Sequence, residues 1–510
     1  MSNPEAFAQA IETGYTFNGA AVTMGVAMLD GAPVSGALVK LPLSTLNRHG
    51  LVAGATGTGK TKTLQRLAES LSKSGVPVLI MDIKGDVSGV SQPGTANPKI
   101  DERQQKIGEP WTPTQFPVEF LTLSGEDGAQ LRATVSEFGP ILFSKILEVN
   151  ETQQGVISLI FKYCDDKNLP LLDLKDFKKT LQYLTNEGKE DMEKDYGAIS
   201  PASTSAIMRR VIELEEQGAE VFFGERSFDV EDLCRTDTNG YGYINILRLA
   251  DLQSKPKLFS TFMLCLMAEI FEKFPEEGDV EKPKLVFIID EAHLIFNEAS
   301  KSLLDQIETI IKLIRSKGVG IYFCTQNPID IPPAILAQLG LKIQHALRAF
   351  TANDRKAIKL AAQNYPITEF YAVEDLLTQL GTGEAFISAL NEKGIPTPLA
   401  HTMICAPESR MDTITSSELA SIVNHSRLKD KYGEVIDRDS AYEMLTKKME
   451  AAAKEAEEAE EKKKEEKRRK DDPTFLEQVG KSSVAKQITR EITRELTRGL
   501  LGILGIKRRR

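Results

Sequence analysis

Apolar residues in this chain recur with two spacings, and the way the spacings alternate predicts the fold. Four runs, HGLVAG (49–54), VPVLIMDI (76–83), KLVFIID (284–290) and VGIYFCT (319–325), are apolar over strand length, the pattern of strands buried on both faces. KTLQRLAESLSKSG (62–75) carries its apolar positions at helical spacing and closes on Gly75 as C-cap, and EASKSLLDQIETIIKLIRSKG (298–318) is helical in the same way. Strand, helix and strand within about thirty residues form a βαβ unit, whose crossover makes the two strands parallel members of one sheet. The expected architecture is α/β, doubly wound around a mostly parallel sheet.

The rhythm changes outside these runs. Residues 17–48 alternate and turn through Asp30-Gly31 and Gly36, so 1–46 reads as a short N-terminal β element. From 101 to 280, stretches such as STSAIMRRVIELEEQGAE and LFSTFMLCLMAEIFEKF are helical in spacing, which predicts a large helical insertion dividing the core into 47–100 and 281–410. A helical extension is expected over 411–444. From 445 to 472, EAAAKEAEEAEEKKKEEKRRK has no apolar stripe and reads as a solvated charged helix or a linker, which Pro473 ends. Residues 473–510 repeat an Ile/Leu-Thr-Arg unit at four-residue spacing, placing Ile488, Ile492 and Leu496 on one side of a basic amphipathic tail helix.

Charge and cysteine usage narrow the picture. A formal net charge of -10 leaves no overall basic footprint, so nucleic-acid contact has to come from a local patch or from a channel formed on assembly. The 5 cysteines are scattered and include no C-x-x-C pair, which fits reduced core thiols in the cytoplasm better than a disulfide framework or a zinc site. The start of the chain has neither a basic nor an apolar leader region, and no window reaches the run of roughly 18 apolar residues that a spanning helix needs.

The strongest chemical signal is GATGTGKT, residues 54–61, which satisfies G-x-x-x-x-G-K-[ST]. The strand before it and the helix after it separate it from a chance Gly-rich turn. In such a loop Gly54, Ala55, Thr56, Gly57, Thr58 and Gly59 turn backbone amides toward phosphates. Lys60 reaches the β and γ phosphates, Thr61 offers its hydroxyl to Mg2+, and Lys62 follows in the first helical turn. The expected ligands are ATP and Mg2+.

KLVFIIDEAH (284–293) ends an apolar strand on adjacent carboxylates, at the edge where open α/β sheets bind ligands. Asp290 is placed for the metal's water shell and Glu291 for the water that attacks the γ phosphate, with His293 read as structural. Gln326, at the tip of the strand IYFCTQ, is a candidate sensor of that phosphate or water. Asp82 reads equally as a contact to the metal shell or as the cap of the following turn. Arg315 and Arg348 are candidates for arginine fingers to a neighbouring subunit, or for surface ion pairs.

These stretches, with VLIMDIKGD, LIRSKGVGIYFCTQNPIDIP, LGLKIQHALRAFTANDRKAIKLAA, GTGEAFIS and IMRRVIELEEQGAEVFFGE, resemble the HerA/FtsK superfamily of P-loop ATPases, and within it the YjgR-like branch. The resemblance runs in order over most of 45–390. It implies a RecA-like core in which Lys60 and Thr61 hold the Walker A positions, Asp290 and Glu291 the Walker B positions and Gln326 the sensor position. Arg315 falls near the arginine implicated in subunit communication. It also implies a ring homo-oligomer, commonly a hexamer, with nucleotide between subunits, DNA drawn through the pore, and a nuclease or another protein as partner. The segment before the P-loop is too short for a full HerA-type N-terminal barrel.

Two function classes follow: a DNA translocase or helicase driven by ATP hydrolysis, and an ATP-regulated assembly or scaffold protein whose tail recruits a partner. Arg490, Arg494, Arg498 and Arg508 to Arg510 in that tail suit phosphates, acidic lipid or acidic protein equally, while Ile488, Leu496, Leu500 and Leu501 suit packing on a subunit.

Overall fold

The computed structural model describes residues 3–125, 127–249, 255–278, 280–298, 301–434, 436 and 438–470. The chain divides into two compact units, Met1–Tyr442 and Glu443–Arg510. The basic tail expected over 473–510 lies outside the described residues, and the second unit is described only over its share of the charged helix Ala441–Lys470.

The described residues of the first unit are built on one sheet of twelve strands. They are β1 (Ala21–Leu29), β2 (Ala32–Pro42), β3 (Gly50–Ala53), β4 (Val78–Asp82), β5 (Val118–Thr122), β6 (Ala129–Gln130), β7 (Ile244–Arg248), β8 (Leu285–Ile289), β9 (Val319–Thr325), β10 (Leu341–Gln344), β11 (Glu384–Ser388) and β12 (Ala400–Ile404). Their spatial order is β2-β1-β12-β11-β10-β3-β9-β8-β4-β7-β5-β6. From β10 to β6 every pairing is parallel, and from β10 through β11, β12 and β1 to β2 every pairing is antiparallel.

The central parallel strands β4, β8 and β9 are mostly apolar, as strands buried on both faces are. Every residue of β8 and β9 is buried, and burying each large side chain there contributes about 1.5–3 kcal/mol. This is the mostly parallel α/β core read from the sequence.

Helices α1 (Pro4–Gly14), α2 (Lys60–Lys73) and α3 (Pro98–Ile107) are followed by α4 to α8 (Val135–Ile146, Glu151–Lys167, Leu174–Thr185, Lys189–Asp195 and Pro201–Glu216), then α9 (Pro256–Lys273). The helical part of the 101–280 stretch is thus concentrated in α4 to α9, packed on an aromatic core in which Phe143 and Phe177 lie 4.8 Å apart. The same stretch also contributes β5, β6 and β7 to the sheet. β6 is two residues long, and β5 (VEFLT) and β7 (INILR) carry polar residues that break the apolar run of a strand buried on both faces.

The N-terminal segment differs from the short β element expected. β1 and β2 form a long hairpin at the sheet edge, and α1 precedes them, started by Asn3, whose side chain accepts from the amide of Glu5 at 3.0 Å. Its Phe7 and Ile11 are buried, Phe7 meeting Phe370 edge-on. Two short helices, Ser416–Asn424 and Arg427–Gly433, occupy the region read as a helical extension. Among the described residues no helix is long and apolar enough to cross a membrane.

Candidate functional site

The three chemical motifs meet because of strand order. β3, β9 and β8 are adjacent and parallel, so the P-loop after β3, Gln326 after β9 and Asp290-Glu291 after β8 all emerge at the C-terminal edge of the sheet. The loop is fastened on both sides: the Gly54 amide donates to Thr325 O at 3.2 Å and the Ala55 amide to Ala346 O at 2.8 Å. Gly54, Gly57 and Gly59 take φ of 154°, 78° and 107°, values that side chains rarely adopt. No side chain caps the N-terminus of α2 at Gly59, and its first turn holds no acidic residue, so its free amides form an anion site.

Lys60 is buried, its ammonium 3.2 Å from Ala55 O. Burial holds that ammonium below the ordinary lysine range, an effect the Glu291 and Asp290 charges oppose. The Thr61 hydroxyl donates to Asp86 at 3.2 Å. Lys62 turns away from the loop to the carbonyl of Met411, so its ammonium lies on the chain that crosses α2.

Asp290 is buried beside Cys324. Burial pushes its carboxyl above the usual aspartate range against the opposing Cys324 contact and Lys84 charge. Glu291 is 3% exposed and has φ of 47°, a conformation that costs a non-glycine residue roughly 1–3 kcal/mol and tends to persist where function demands it. Lys84 is ion-paired with its carboxylate, and His293 Nδ1 lies 3.1 Å from it.

Gln326, Ala55, Thr56, His293, Arg348 and Phe350 line a cavity of about 700 Å3 in front of the P-loop. Asp82 caps the turn that follows β4: its carboxylate accepts from Gly85 N at 2.7 Å and Val87 N at 3.2 Å, and burial raises its pKa to about 6. Arg315 is not brought to this edge. It lies ahead of β9, near Asn47, whose amide donates to Arg315 O at 3.4 Å, at the opposite end of the sheet from the P-loop.

Several residues the sequence reading did not single out support the site. His345 is fully buried beneath the loop, its Nε2 2.9 Å from Thr63 Oγ1. A Cβ at Gly54 would fall 2.5 Å from that of His345. The Gly383 amide donates to Thr58 O at 3.0 Å, and Gly383 O in turn accepts from Arg103 of α3 at 2.5 Å. Lys84 and Asp86 belong to IKGD, directly after β4. The rule that parallel-strand C-termini beside a P-loop carry the chemistry points to that corner.

The donor set fits Mg2+ in the way such sites hold it, with few protein ligands and the rest from phosphates and water: Thr61 and Asp290 are close to the loop, and Asp86 has a buried oxygen without a partner. Among the described residues there is no cluster of three or more His, Cys, Asp or Glu that would hold a metal unaided.

The chain is similar to several known proteins. The DNA double-strand break repair helicase HerA of Sulfolobus acidocaldarius is 24% identical over 357 residues, covering 68% of this chain and 64% of that protein. The protein of the same name from Sulfurisphaera tokodaii is 26% identical over 378 residues, covering 72% and 66%. The chain therefore spans slightly less than two thirds of either relative. Among solved structures, VirB4 of Thermoanaerobacter pseudethanolicus is 16% identical with a TM-score of 0.49, covering 77% of this chain and 98% of that one. The family described as helicase HerA-like C-terminal matches residues 29–509, and the chain belongs to that family.

Proposed function

We propose that the chain binds ATP with Mg2+ and hydrolyses it, and that hydrolysis drives DNA translocation or unwinding by a ring of its own copies. One observation carries the hydrolytic part: Glu291 is buried at the sheet edge beside the P-loop, held there with φ of 47°. A carboxylate placed there is within reach of a water in line with the γ phosphate.

In this reading the P-loop amides and Lys60 hold the phosphates, and Thr61 and Asp290 hold the metal. Bound Mg2+ supplies electrostatic neutralisation of the charge that develops on the phosphoryl oxygens. Glu291 accepts the proton of the attacking water as the new P–O bond forms and the bond to the β,γ-bridging oxygen breaks, giving ADP and phosphate. Gln326, on the cavity wall, orients the γ phosphate or that water. Arg315 has no route to its own P-loop, so its contribution is to a neighbour's site across a subunit interface.

The DNA part rests on the two relatives named as DNA double-strand break repair helicases. It is tested by the ATP turnover of the purified protein alone and with single- or double-stranded DNA over a salt series. A DNA-stimulated rate that falls steeply with salt supports the motor. A rate indifferent to DNA favours an ATP-regulated assembly.

A further inference from the structure

The turn after β4 touches both halves of the hydrolytic site. Asp82 pins its start through the Gly85 and Val87 amides. Within the next four residues Lys84 reaches the Glu291 carboxylate and Asp86 accepts the Thr61 hydroxyl at 3.2 Å. Gly85 between them has φ of 74°, which sends the two side chains in different directions from one tight bend. The Lys84 side chain is 39% exposed while that of Glu291 is 4% exposed, so the lysine reaches in from solvent to a carboxylate that cannot reach out.

We propose that this turn is a latch: Lys84 restrains Glu291 until Asp86, beside Thr61, turns to a nucleotide-borne cation. The inference rests on the proposed role of Glu291 toward water and adds a regulator of it. A Thr61 hydroxyl that binds a cation through an oxygen lone pair keeps its proton for Asp86, which holds that carboxylate beside the cation. Asp86, already holding one buried oxygen without a partner, then follows the cation's water shell. Because Asp86 and Lys84 share one pinned turn, that movement draws the ammonium off Glu291 and leaves the carboxylate oxygens free for water. Lys84 is thus a positioning residue that acts through Glu291.

The test is a thermal-unfolding cycle on the full chain with the wild type, Lys84→Ala, Glu291→Gln and the double variant, each alone and with Mg2+ and a non-hydrolysable ATP analogue. The latch predicts an energetic coupling between positions 84 and 291 without nucleotide that disappears with it. It also predicts that Lys84→Ala raises kcat several-fold with the analogue's Kd unchanged, that Lys84→Arg behaves as wild type, and that the rise vanishes in the Glu291→Gln background. Coupling that persists with the analogue, or a Lys84→Ala variant that loses nucleotide affinity or turnover, overturns the proposal and makes Lys84 a phosphate ligand or a structural ion pair. If the analogue fails to stabilise any of the four proteins while the coupling is present, it is the nucleotide reading that has failed, along with the release step, and the ion pair is only structural.

Discussion

His345 Nε2 lies 2.9 Å from Thr63 Oγ1, joining the end of β10 to the second turn of the P-loop helix beneath the phosphate cradle. Burial, with the nearby Lys60 charge, lowers the His345 pKa from 6.5 to about 4, so the imidazole is neutral in the fold. The unfolded chain binds a proton below pH 6.5 that the folded chain refuses, and stability falls as pH drops from 6.5 toward 4. That is about 1.4 kcal/mol per pH unit at the steepest, from this group alone. Urea unfolding of wild type and His345→Gln at pH 7.5, 6 and 5 should show the gap between them narrowing with acid. A constant gap would mean that the histidine is charged in the fold.

The loop glycines should differ in what they tolerate. Gly54→Ala places a methyl 2.5 Å from the His345 Cβ and should displace the loop, destabilising the protein and abolishing nucleotide binding together. Gly57→Ala meets nothing within 4 Å, so its cost is the φ of 78° alone, about 1–2 kcal/mol. Thermal unfolding and a fluorescent-nucleotide titration of both variants check the order. Equal losses would show that contact with His345 is not what sets the loop.

How much of this was legible in the sequence depends on how local each signal is. The P-loop, the Asp290-Glu291 pair and the parallel strands each sit within one contiguous run whose pattern is its own evidence. His345, Gly383, Arg103 and Lys84 come from four separate segments, and only the closing of the sheet around β3 brings them together. A lone histidine at the end of LKIQH has no spacing to read. β5 and β7 are lost among helices because Glu119, Asn245 and Arg248 interrupt their apolar runs, and α1 is missed although Asn3-Pro4 is a cap followed by a first-turn proline.

Arg103 braces the loop from behind, donating to Gly383 O at 2.5 Å and Ile404 O at 2.7 Å. Two carbonyls held by one planar guanidinium is an arrangement lysine cannot copy. Arg103→Lys should weaken nucleotide binding, raising KM with a smaller change in kcat, while leaving the secondary structure measured by circular dichroism unchanged. A variant with wild-type KM would show that the brace is dispensable.

Arg315 stands at the far end of the sheet from the P-loop of its own chain, so Arg315→Ala should bind nucleotide normally and fail in turnover. Mixing it with Lys60→Ala subunits should restore part of the activity, since some interfaces then pair an intact loop with an intact arginine. No recovery in mixtures that demonstrably co-assemble would remove Arg315 from catalysis in trans.

The central claim is that Lys60 holds the phosphates and Glu291 handles the water, and nucleotide binding measured beside steady-state ATP hydrolysis tests it most directly. Lys60→Ala should lose binding. Glu291→Gln should bind ATP as the wild type does while its turnover falls by about a hundredfold or more, the scale of a lost general base. Normal hydrolysis by Glu291→Gln would contradict the account.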